Sequence, residues 1–166
     1  MTYLYKTMRS PVGELTLVGS DRGLAAVLWE DDDPSRVRLA DLQEDAEHPV
    51  LLRAQQQLEE YFVDKRRKFT VKLDPAGTDF QNRVWNALRT IPFGETRSYG
   101  QIAEQIGSHK AVRAVGAANG ANPLSIIVPC HRVIGADGKL TGFAGGLAVK
   151  ARLLALESRS GLRNRP

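Results

Sequence analysis

The sequence predicts an α+β protein with two lobes: an N-terminal lobe with a small antiparallel sheet and one helix, and a mainly helical C-terminal lobe. Residues 3–29 alternate apolar and polar side chains between glycine-containing turns, a pattern typical of hairpin-connected strands. Beyond residue 78 the apolar side chains recur at helical spacing instead. A Pro- and Gly-containing stretch separates the two patterns, so the lobes are expected at 1–77 and 78–166.

The N-terminal lobe is expected to begin with three antiparallel strands, over residues 3–9, 14–18 and 24–29. An amphipathic helix follows at about 50–63, because its apolar side chains share one face. Residues 69–73 are predicted to form a last strand.

Two charged runs in this lobe are interpreted as solvated connections. The acidic loop at 30–34 could bind a divalent cation, but it lacks the glycine and the ligand spacing of a calcium loop. The basic run at 65–68 could lie near a polyanion, and a solvated connector is the preferred interpretation.

The C-terminal lobe is predicted to hold four helices, at about 79–90, 99–106, 109–119 and 147–157. Ser98 is suited to cap the second of them. A Gly-Ser turn at 107–108 separates the second from the third, which favours a helix-turn-helix. Many small helical domains share this pattern, so it does not by itself indicate DNA binding. Residues from about 158 to 166 are predicted to form a mobile basic tail.

The helix predicted at 109–119 is composed mostly of small residues, with Arg113 as its one long side chain within the small-residue run. Helices that read the major groove need long polar side chains that reach the base edges, so this helix is not suited to that role. Small side chains allow close approach to a narrow surface such as a minor groove. They equally allow close packing against another helix, and the spacing alone does not separate these two possibilities.

Charge and cysteine content limit which partners and which cellular location are expected. The net charge of +4 is uneven: residues 1–77 hold 11 Lys and Arg against 14 Asp and Glu, whereas residues 78–166 hold 12 against 5. The C-terminal lobe is therefore expected to face a polyanion, although a basic surface can also serve solubility alone. No apolar run has the length of a membrane span, and the N-terminus lacks the pattern of a secretory signal. The single cysteine predicts a reducing, cytoplasmic location.

That cysteine lies in the run Pro129-Cys130-His131-Arg132-Val133. The mostly apolar residues 124–128 before it are predicted to form a short buried strand that ends in a tight turn. A lone thiol at the end of a buried strand, followed by histidine, is a candidate nucleophile. A packed cysteine beside a surface histidine is the alternative, and it is the commoner case for an arbitrary Cys-His pair.

The residues around this motif resemble a known family. Residues 129–134 are similar to the active-site motif of the O-6-alkylguanine-DNA alkyltransferases, also called methylated-DNA–protein-cysteine methyltransferases. The N-terminal lobe resembles the family only in general plan. Further matches occur in the family's order and spacing between residue 80 and about 157: Ser98-Tyr99, the helix around Arg113, Asn122-Pro123, the segment 145–150 and Glu157.

The resemblance implies an enzyme that transfers an alkyl group from O-6-alkylguanine, and from O-4-alkylthymine, in double-stranded DNA to Cys130. His131 would deprotonate Cys130 through a bridging water, and Glu157 would hold the imidazole in the required tautomer. Asn122 is placed to hydrogen-bond to backbone on either side and to join the preceding helix to the Cys130 turn. The product is a thioether, which does not hydrolyse. Each molecule should therefore react once, and no cofactor is expected.

The resemblance also implies a base-binding pocket. The Tyr99 hydroxyl would assist the leaving guanine, and the backbone carbonyls of Cys130 and Val133 would accept from its exocyclic amine. The family often has Tyr-Ser where this chain has Phe-Ala, so a hydroxyl donor to the 6-oxygen is replaced by backbone amides or lost. A roomier pocket for bulkier alkyl groups is one hypothesis that follows. Three loop residues would line this pocket: Phe143, Ala144 and Gly145.

The implied reaction needs the target base outside the duplex stack. Arg113 would fill the vacated space, and Tyr99 would crowd the 3′ phosphate. Ala114 and Gly116 would lie in the minor groove, and Ser108 would contact the DNA from the turn between the two helices.

Two alternatives from other classes remain at this point. A non-catalytic lesion-binding protein of the alkyltransferase-like kind would bind the same DNA, but proteins of that kind lack the cysteine that this chain has at position 130. A Cys-His hydrolase would leave Arg113 and the small-residue helix unexplained. The expected partner is alkylated double-stranded DNA, bound by a monomer, with cooperative clustering along the DNA left open. No metal site is expected, because no cluster of cysteine and histidine is present near the N-terminus.

Overall fold

The architecture was analysed in a computed structural model, which describes the backbone of residues 2–163 and the side chains up to residue 158. The chain divides into two compact units, with the boundary between Ala76 and Gly77. Each unit has its own buried apolar core and is described separately below.

The first unit is a four-stranded sheet with one helix. Its elements are β1 (Tyr3–Ser10), β2 (Gly13–Ser20), β3 (Gly23–Leu28), β4 (Leu42–Glu44) and α1 (Pro49–Phe62). The strand order is β3-β2-β1-β4. The first three strands pair antiparallel, as predicted, whereas β4 pairs parallel with β1, so the sheet is mixed. The helix packs its apolar face against this sheet and buries these side chains: Leu51, Ala54, Leu58 and Tyr61.

The strand predicted at 69–73 is wrong, since this segment makes only an isolated bridge. The buried side chain of Gln57 accepts hydrogen bonds from the backbone amides of Thr70 and Val71, at 3.0 and 3.2 Å. A side chain therefore satisfies the donors that would otherwise need a partner strand. The fourth strand is instead β4, three exposed residues in a polar stretch that carries no alternating pattern to detect.

The second unit is mainly helical. Its elements are α2 (Asp79–Leu88), β5 (Arg97–Ser98), α3 (Tyr99–Gln105), α4 (Val112–Gly120), β6 (Val133–Ile134) and α5 (Leu147–Arg163). The helices α2, α3 and α4 pack on one another, and the two short strands pair in parallel. Thr78 and Ser98 begin α2 and α3 with capping boxes, each exchanging hydrogen bonds with the glutamine three residues later.

The helix α5 is longer than the sequence predicts. It continues to Arg163, so the tail predicted from about residue 158 is wrong for residues 158–163, and residues 164–166 lie outside the described part of the chain. Polar composition suggested a tail, but extending an existing helix requires no new nucleus and costs little.

The segment before the cysteine is a series of turns rather than the predicted strand. Ile126 has a φ of 73°, an uncommon conformation for a β-branched residue. Asn122 bridges the segment: its Nδ2 donates to the Val128 carbonyl at 2.8 Å, and its Oδ1 accepts from the Leu124 amide at 3.0 Å. A short, buried and mostly apolar run has no periodicity that distinguishes a strand from such turns.

Candidate active site

Cys130 begins a single turn of 3₁₀ helix that ends at Arg132. It is the only cysteine of the sequence, so its thiol is in no internal disulfide, and the residue is 4% exposed. The next residue, His131, is fully buried. The thiol and the imidazole therefore both lie in the interior of the second unit, which contradicts the alternative of a packed cysteine beside a surface histidine.

One nitrogen of His131 is bound by α5. Its Nε2 lies 2.6 Å from Oε2 of Glu157, 26 positions further along the chain. A carboxylate only accepts hydrogen bonds, so Nε2 carries the proton and donates it. Nδ1 is then the acceptor nitrogen, and it is buried with no hydrogen-bond partner among the described residues.

Arg132 holds the same carboxylate from another side. Its Nε donates to Oε1 of Glu157 at 2.8 Å and its Nη2 donates to Oε2 at 3.1 Å, a bidentate pair. Its Nη1 donates to the carbonyl of Ile91 at 2.7 Å. The buried anion is thus matched by a buried cation with further hydrogen bonds, the condition under which burial of such charges is tolerated.

These contacts set the protonation states. Burial alone would raise the pKa of Glu157, but the hydrogen bonds and charges of His131 and Arg132 outweigh it and lower the pKa to about 2. Burial lowers the pKa of His131 below its usual value, against the opposing effect of Glu157, while the charges of Arg132 and Lys150 add to the lowering. At neutral pH Glu157 is anionic and His131 is neutral, so Nδ1 can accept a proton.

A second cation, Lys150 of α5, is fully buried. Its Nζ donates to the carbonyls of Val133 at 2.6 Å and Thr141 at 3.3 Å, and lies 5.9 Å from the centre of the Phe143 ring. Burial lowers the pKa of Lys150, and an anionic Cys130 opposes that shift. This attraction is reciprocal, so the ammonium group favours the thiolate form of the cysteine.

Two asparagines hold the backbone near the cysteine. Asn122, which bridges Leu124 and Val128, connects the end of α4 to the residue two positions before Cys130. The Nδ2 of Asn119 makes a long contact, 3.5 Å, with the Cys130 carbonyl. Its Oδ1 is buried without a hydrogen-bond partner in the described part of the chain.

The loop assigned to the pocket has no regular structure over residues 139–144. Phe143 and Gly145 are half-buried, and Ala144 is exposed. The Phe143 ring lies beside the Lys150 ammonium, so the loop forms the outer, solvent-accessible side of the buried cluster.

The two carbonyls assigned to the guanine amine already have partners. The Val133 carbonyl accepts from Lys150, and the Cys130 carbonyl accepts the long contact from Asn119. A carbonyl oxygen has two lone pairs. Lys150 occupies one of those on the Val133 carbonyl, whereas both on the Cys130 carbonyl are engaged, because the Val133 amide also donates to it.

Tyr99 is the first residue of α3 and is half-buried. Its hydroxyl forms a hydrogen bond with Oγ1 of Thr141 in the pocket loop. The structure therefore brings Tyr99 to the loop that contains Phe143 and Ala144.

The other residues assigned to DNA lie on α4 and on the turn between α3 and α4. Arg113 and Ala114 are exposed in the first turn of α4. Gly116 is half-buried, and a Cβ added there would lie 3.9 Å from the Tyr99 ring. Ser108 borders an open depression at the turn. The structure therefore leaves Arg113, Ala114 and Ser108 outside the buried group around Glu157.

Four residues contribute to these contacts without a role in the sequence prediction: Asn119, Arg132, Thr141 and Lys150. A signal for two of them is present in the sequence. Arg132 is a long cation inside a motif expected to be buried, and Lys150 precedes Glu157 by seven residues, about two helical turns, which places both on one face of α5. Asn119 and Thr141 carry no comparable local pattern.

No group of three or more His, Cys, Asp or Glu side chains within the described residues is arranged to hold a metal ion. Among the helices described here, none is both long enough and apolar enough for a membrane crossing.

The sequences of the two units match two domains of one family. Residues 79–159 match the "6-O-methylguanine DNA methyltransferase, DNA binding domain" and residues 3–75 match its "ribonuclease-like domain". The chain belongs to this methyltransferase family. The family membership predicted from the cysteine motif is thus confirmed, and the match extends to the N-terminal unit.

Individual relatives of this methyltransferase family are similar over nearly the whole chain. A methylated-DNA–protein-cysteine methyltransferase of Mycolicibacterium paratuberculosis is 53% identical over 158 residues, covering 93% of this chain and 92% of the relative. One from Methanosarcina acetivorans is 50% identical over 153 residues, covering 92% and 97%. The crystal structure of Mycobacterium tuberculosis OGT in complex with DNA matches with a TM-score of 0.85 at 50% identity, covering 96% and 94%. The predicted α+β fold is confirmed.

Proposed function

We propose that this chain repairs DNA by direct reversal of damage, moving the alkyl group of O6-alkylguanine in duplex DNA to Sγ of Cys130. The observation that carries the proposal is the arrangement of His131, whose Nε2 proton is donated to Glu157 while Nδ1 remains a buried acceptor. This imidazole directly follows the only cysteine of the chain. The names of the relatives, methylated-DNA–protein-cysteine methyltransferases, support the same chemistry.

The reaction is a displacement at carbon. A free thiol of ordinary pKa, about 8.5, is only slightly ionised at neutral pH. The Cys130 proton passes through a bridging water to Nδ1 of His131, and the nearby Lys150 ammonium favours the resulting thiolate. The sulfur–carbon bond forms as the carbon–O6 bond breaks, and the electron pair stays on the guanine oxygen. The Tyr99 hydroxyl donates a hydrogen bond to the leaving base.

The bond that forms makes the reaction irreversible. A thioester would hydrolyse and free the enzyme, but an S-alkyl cysteine is a thioether and does not hydrolyse in water. Each molecule therefore removes one alkyl group and is then spent. The energy comes from the activated carbon of the damaged base, so the reaction requires no cofactor.

The duplex is engaged through residues 78–166, the part of the chain with excess positive charge. The target nucleotide leaves the stack, Arg113 occupies the space, and Tyr99 crowds the 3′ phosphate. Ala114 and Gly116 follow the minor groove, which accounts for the small side chains of α4. Exposure of Arg113 and Ala114 on the first turn of α4 supports this arrangement.

The same proposal has consequences for partners and location. O4-alkylthymine presents an equivalent alkyl–oxygen carbon and is a second substrate. The chain acts as a monomer, because one thiol and one base complete the reaction. Its thiol must remain reduced to react, which favours the cytoplasm.

Mass spectrometry of the intact protein tests the proposal. Incubation with a duplex oligonucleotide that contains O6-methylguanine should add the mass of one methyl group, and excess DNA should add no more. The Cys130→Ser variant should gain nothing. Binding without a mass change would instead identify a non-catalytic lesion-binding protein. Continued dealkylation of excess DNA by protein that stays unmodified would disprove irreversible transfer.

A further inference from the structure

Thr141 connects the pocket loop to two helices at once. Its Oγ1 forms a hydrogen bond with the hydroxyl of Tyr99, the first residue of α3. Its backbone carbonyl accepts from Nζ of Lys150 on α5, at 3.3 Å. The side chain and the backbone of one residue thus link a tyrosine at the start of the helix-turn-helix to a buried lysine.

Lys150 is a rigid anchor for this link. It is fully buried and donates a second hydrogen bond, at 2.6 Å, to the carbonyl of Val133. Val133 lies three residues after Cys130 and pairs with Arg97 where β6 meets β5. Because Tyr99 directly follows β5, its backbone is fixed to the cysteine segment by these strands. Its hydroxyl is fixed to the same segment through Thr141 and Lys150.

The Phe143 ring of the same loop also contacts this lysine, at 5.9 Å from its Nζ, whereas neighbouring positions of the loop are open. A Cβ added at Gly142 or Gly146 would meet nothing within 4 Å, and Ala144 is exposed. Thr141 is thus the position at which hydrogen bonds tie the loop to the interior, and its hydroxyl bonds to that of Tyr99.

We propose that Thr141 is a positioning residue for alkyl transfer and that its hydroxyl directs the O–H bond of Tyr99 toward the leaving base. The inference rests on the proposed function, in which Tyr99 donates to that base. A hydroxyl has one proton and two acceptor lone pairs. Thr141 donates its proton to the Tyr99 oxygen, which leaves the phenol proton directed to the guanine. Hydrogen bonds in such a chain strengthen one another.

A matched pair of variants tests this role. Thr141→Val keeps the shape and removes the hydroxyl, whereas Thr141→Ser keeps the hydroxyl. The measurement is the single-turnover rate of methyl transfer at saturating O6-methylguanine duplex. We expect valine to slow transfer about five- to tenfold, the effect of one net hydrogen bond, and serine to remain within about twofold of wild type. The affinity for the duplex should not change, because the proposed function gives Thr141 no contact with the DNA.

The Tyr99→Phe background shows whether the effect acts through the phenol. Thr141→Val should cause no further slowing there, because the group that it positions is gone. Equal slowing in both backgrounds would overturn the inference. So would a serine variant as slow as valine, or a valine variant as fast as wild type.

Two controls separate this inference from misfolding and from the proposed function. Alkylation of Cys130 by iodoacetamide releases no base, so Thr141→Val and a second variant, Thr141→Ala, should react at the wild-type rate. A parallel loss in that reaction would indicate a structural role and would overturn the inference. If the wild-type protein takes up no methyl group, the proposed function itself is wrong and this inference falls with it. Normal uptake by wild type with unaffected variants removes the inference alone.

Discussion

Oε2 of Glu157 lies 2.6 Å from Nε2 of His131, and both side chains are almost completely buried. This contact does two things. It fixes the tautomer of the imidazole that follows the cysteine. It also holds the Glu157 carboxylate in the interior, where a buried negative charge needs a positive partner. Arg132 supplies that charge, so the tautomer and the stability of the second unit depend on the same three side chains.

Replacement of Arg132 should reveal how far stability depends on this group. Arg132→Met leaves the Glu157 carboxylate without its cation and should lower the free energy of unfolding by about 3–5 kcal/mol. Urea unfolding of the Cys130→Ser protein, which avoids oxidation of the thiol, gives the measurement. Arg89→Met, at an exposed position, is the control and should cost no more than about 0.5 kcal/mol. Similar small effects for both would show that the buried pair contributes little.

The cost of Glu157→Gln should depend on pH. The pKa of Glu157 is lowered to about 2 in the folded chain from 4.5, so the folded state binds this proton less tightly than the unfolded state. The contribution of the charged carboxylate is complete above pH 4.5 and is lost as the pH falls toward 2. Between about pH 6 and about pH 3 the cost of the substitution should shrink by about 2 kcal/mol. A cost that stays constant over this range would contradict the charge pairing.

The rate of methyl transfer should be insensitive to pH around the ordinary titration of histidine. Burial lowers the pKa of His131, so the neutral base persists below 6.5 and the rate should begin to fall only at lower pH. His131→Gln removes the base and should slow transfer by about a hundredfold or more. Its remaining rate should rise toward about pH 8.5 as the thiol ionises unaided. Single-turnover rates across the pH range provide the test, and a wild-type midpoint at or above 6.5 would contradict the lowered pKa of His131.

The exposed methyl group of Ala144 should favour bulky substrates. Ala144→Ser adds an oxygen to the pocket loop and restores a donor for the 6-oxygen of guanine. We expect the variant to lose rate on O6-benzylguanine relative to O6-methylguanine by a few-fold, about 1 kcal/mol or less. The ratio of the two rate constants is the quantity to compare. An unchanged ratio would remove Ala144 as a determinant of alkyl size.

The small residues of α4 should matter for DNA and not for folding. Ala114→Leu places a larger side chain at an exposed position, so stability should be unchanged within about 0.5 kcal/mol. Affinity for duplex DNA should fall about tenfold or more, because the helix can no longer approach the groove. Ala155→Leu, at an exposed position of α5, is the matched control. Equal affinities for both variants, measured by fluorescence anisotropy, would count against minor-groove binding by α4.

Local signals explain which parts of the fold could be predicted. Alternation gave β1 to β3, an apolar face gave α1, and the Ser98 position marked the start of α3. The turns at 124–128 were missed because a side chain, Asn122, takes the hydrogen bonds that a strand would make. The strand predicted at 69–73 was wrong for the same kind of reason, since the Gln57 side chain accepts the hydrogen bonds of the Thr70 and Val71 backbone amides.

The candidate site divides in the same way. The motif identified Cys130 and His131 directly, and Glu157 followed from the family resemblance. Arg132 was not assigned a role. Its place in a motif expected to be buried indicates that it needs a partner, but the partner lies 25 positions away and no local pattern identifies it. The catalytic roles of these residues stay predictions until the variants above are measured.

The continuation of α5 beyond Glu157 also bears on how the protein can be handled. Six helical residues, about 1.7 turns, follow Glu157 and end with Arg163. Terminal turns of helices fray, so this extension keeps the fraying end away from the carboxylate. An affinity tag or fused fluorescent protein joined after residue 166 should leave the cysteine reactive. A truncation at residue 158 would expose Glu157 to the fraying turn.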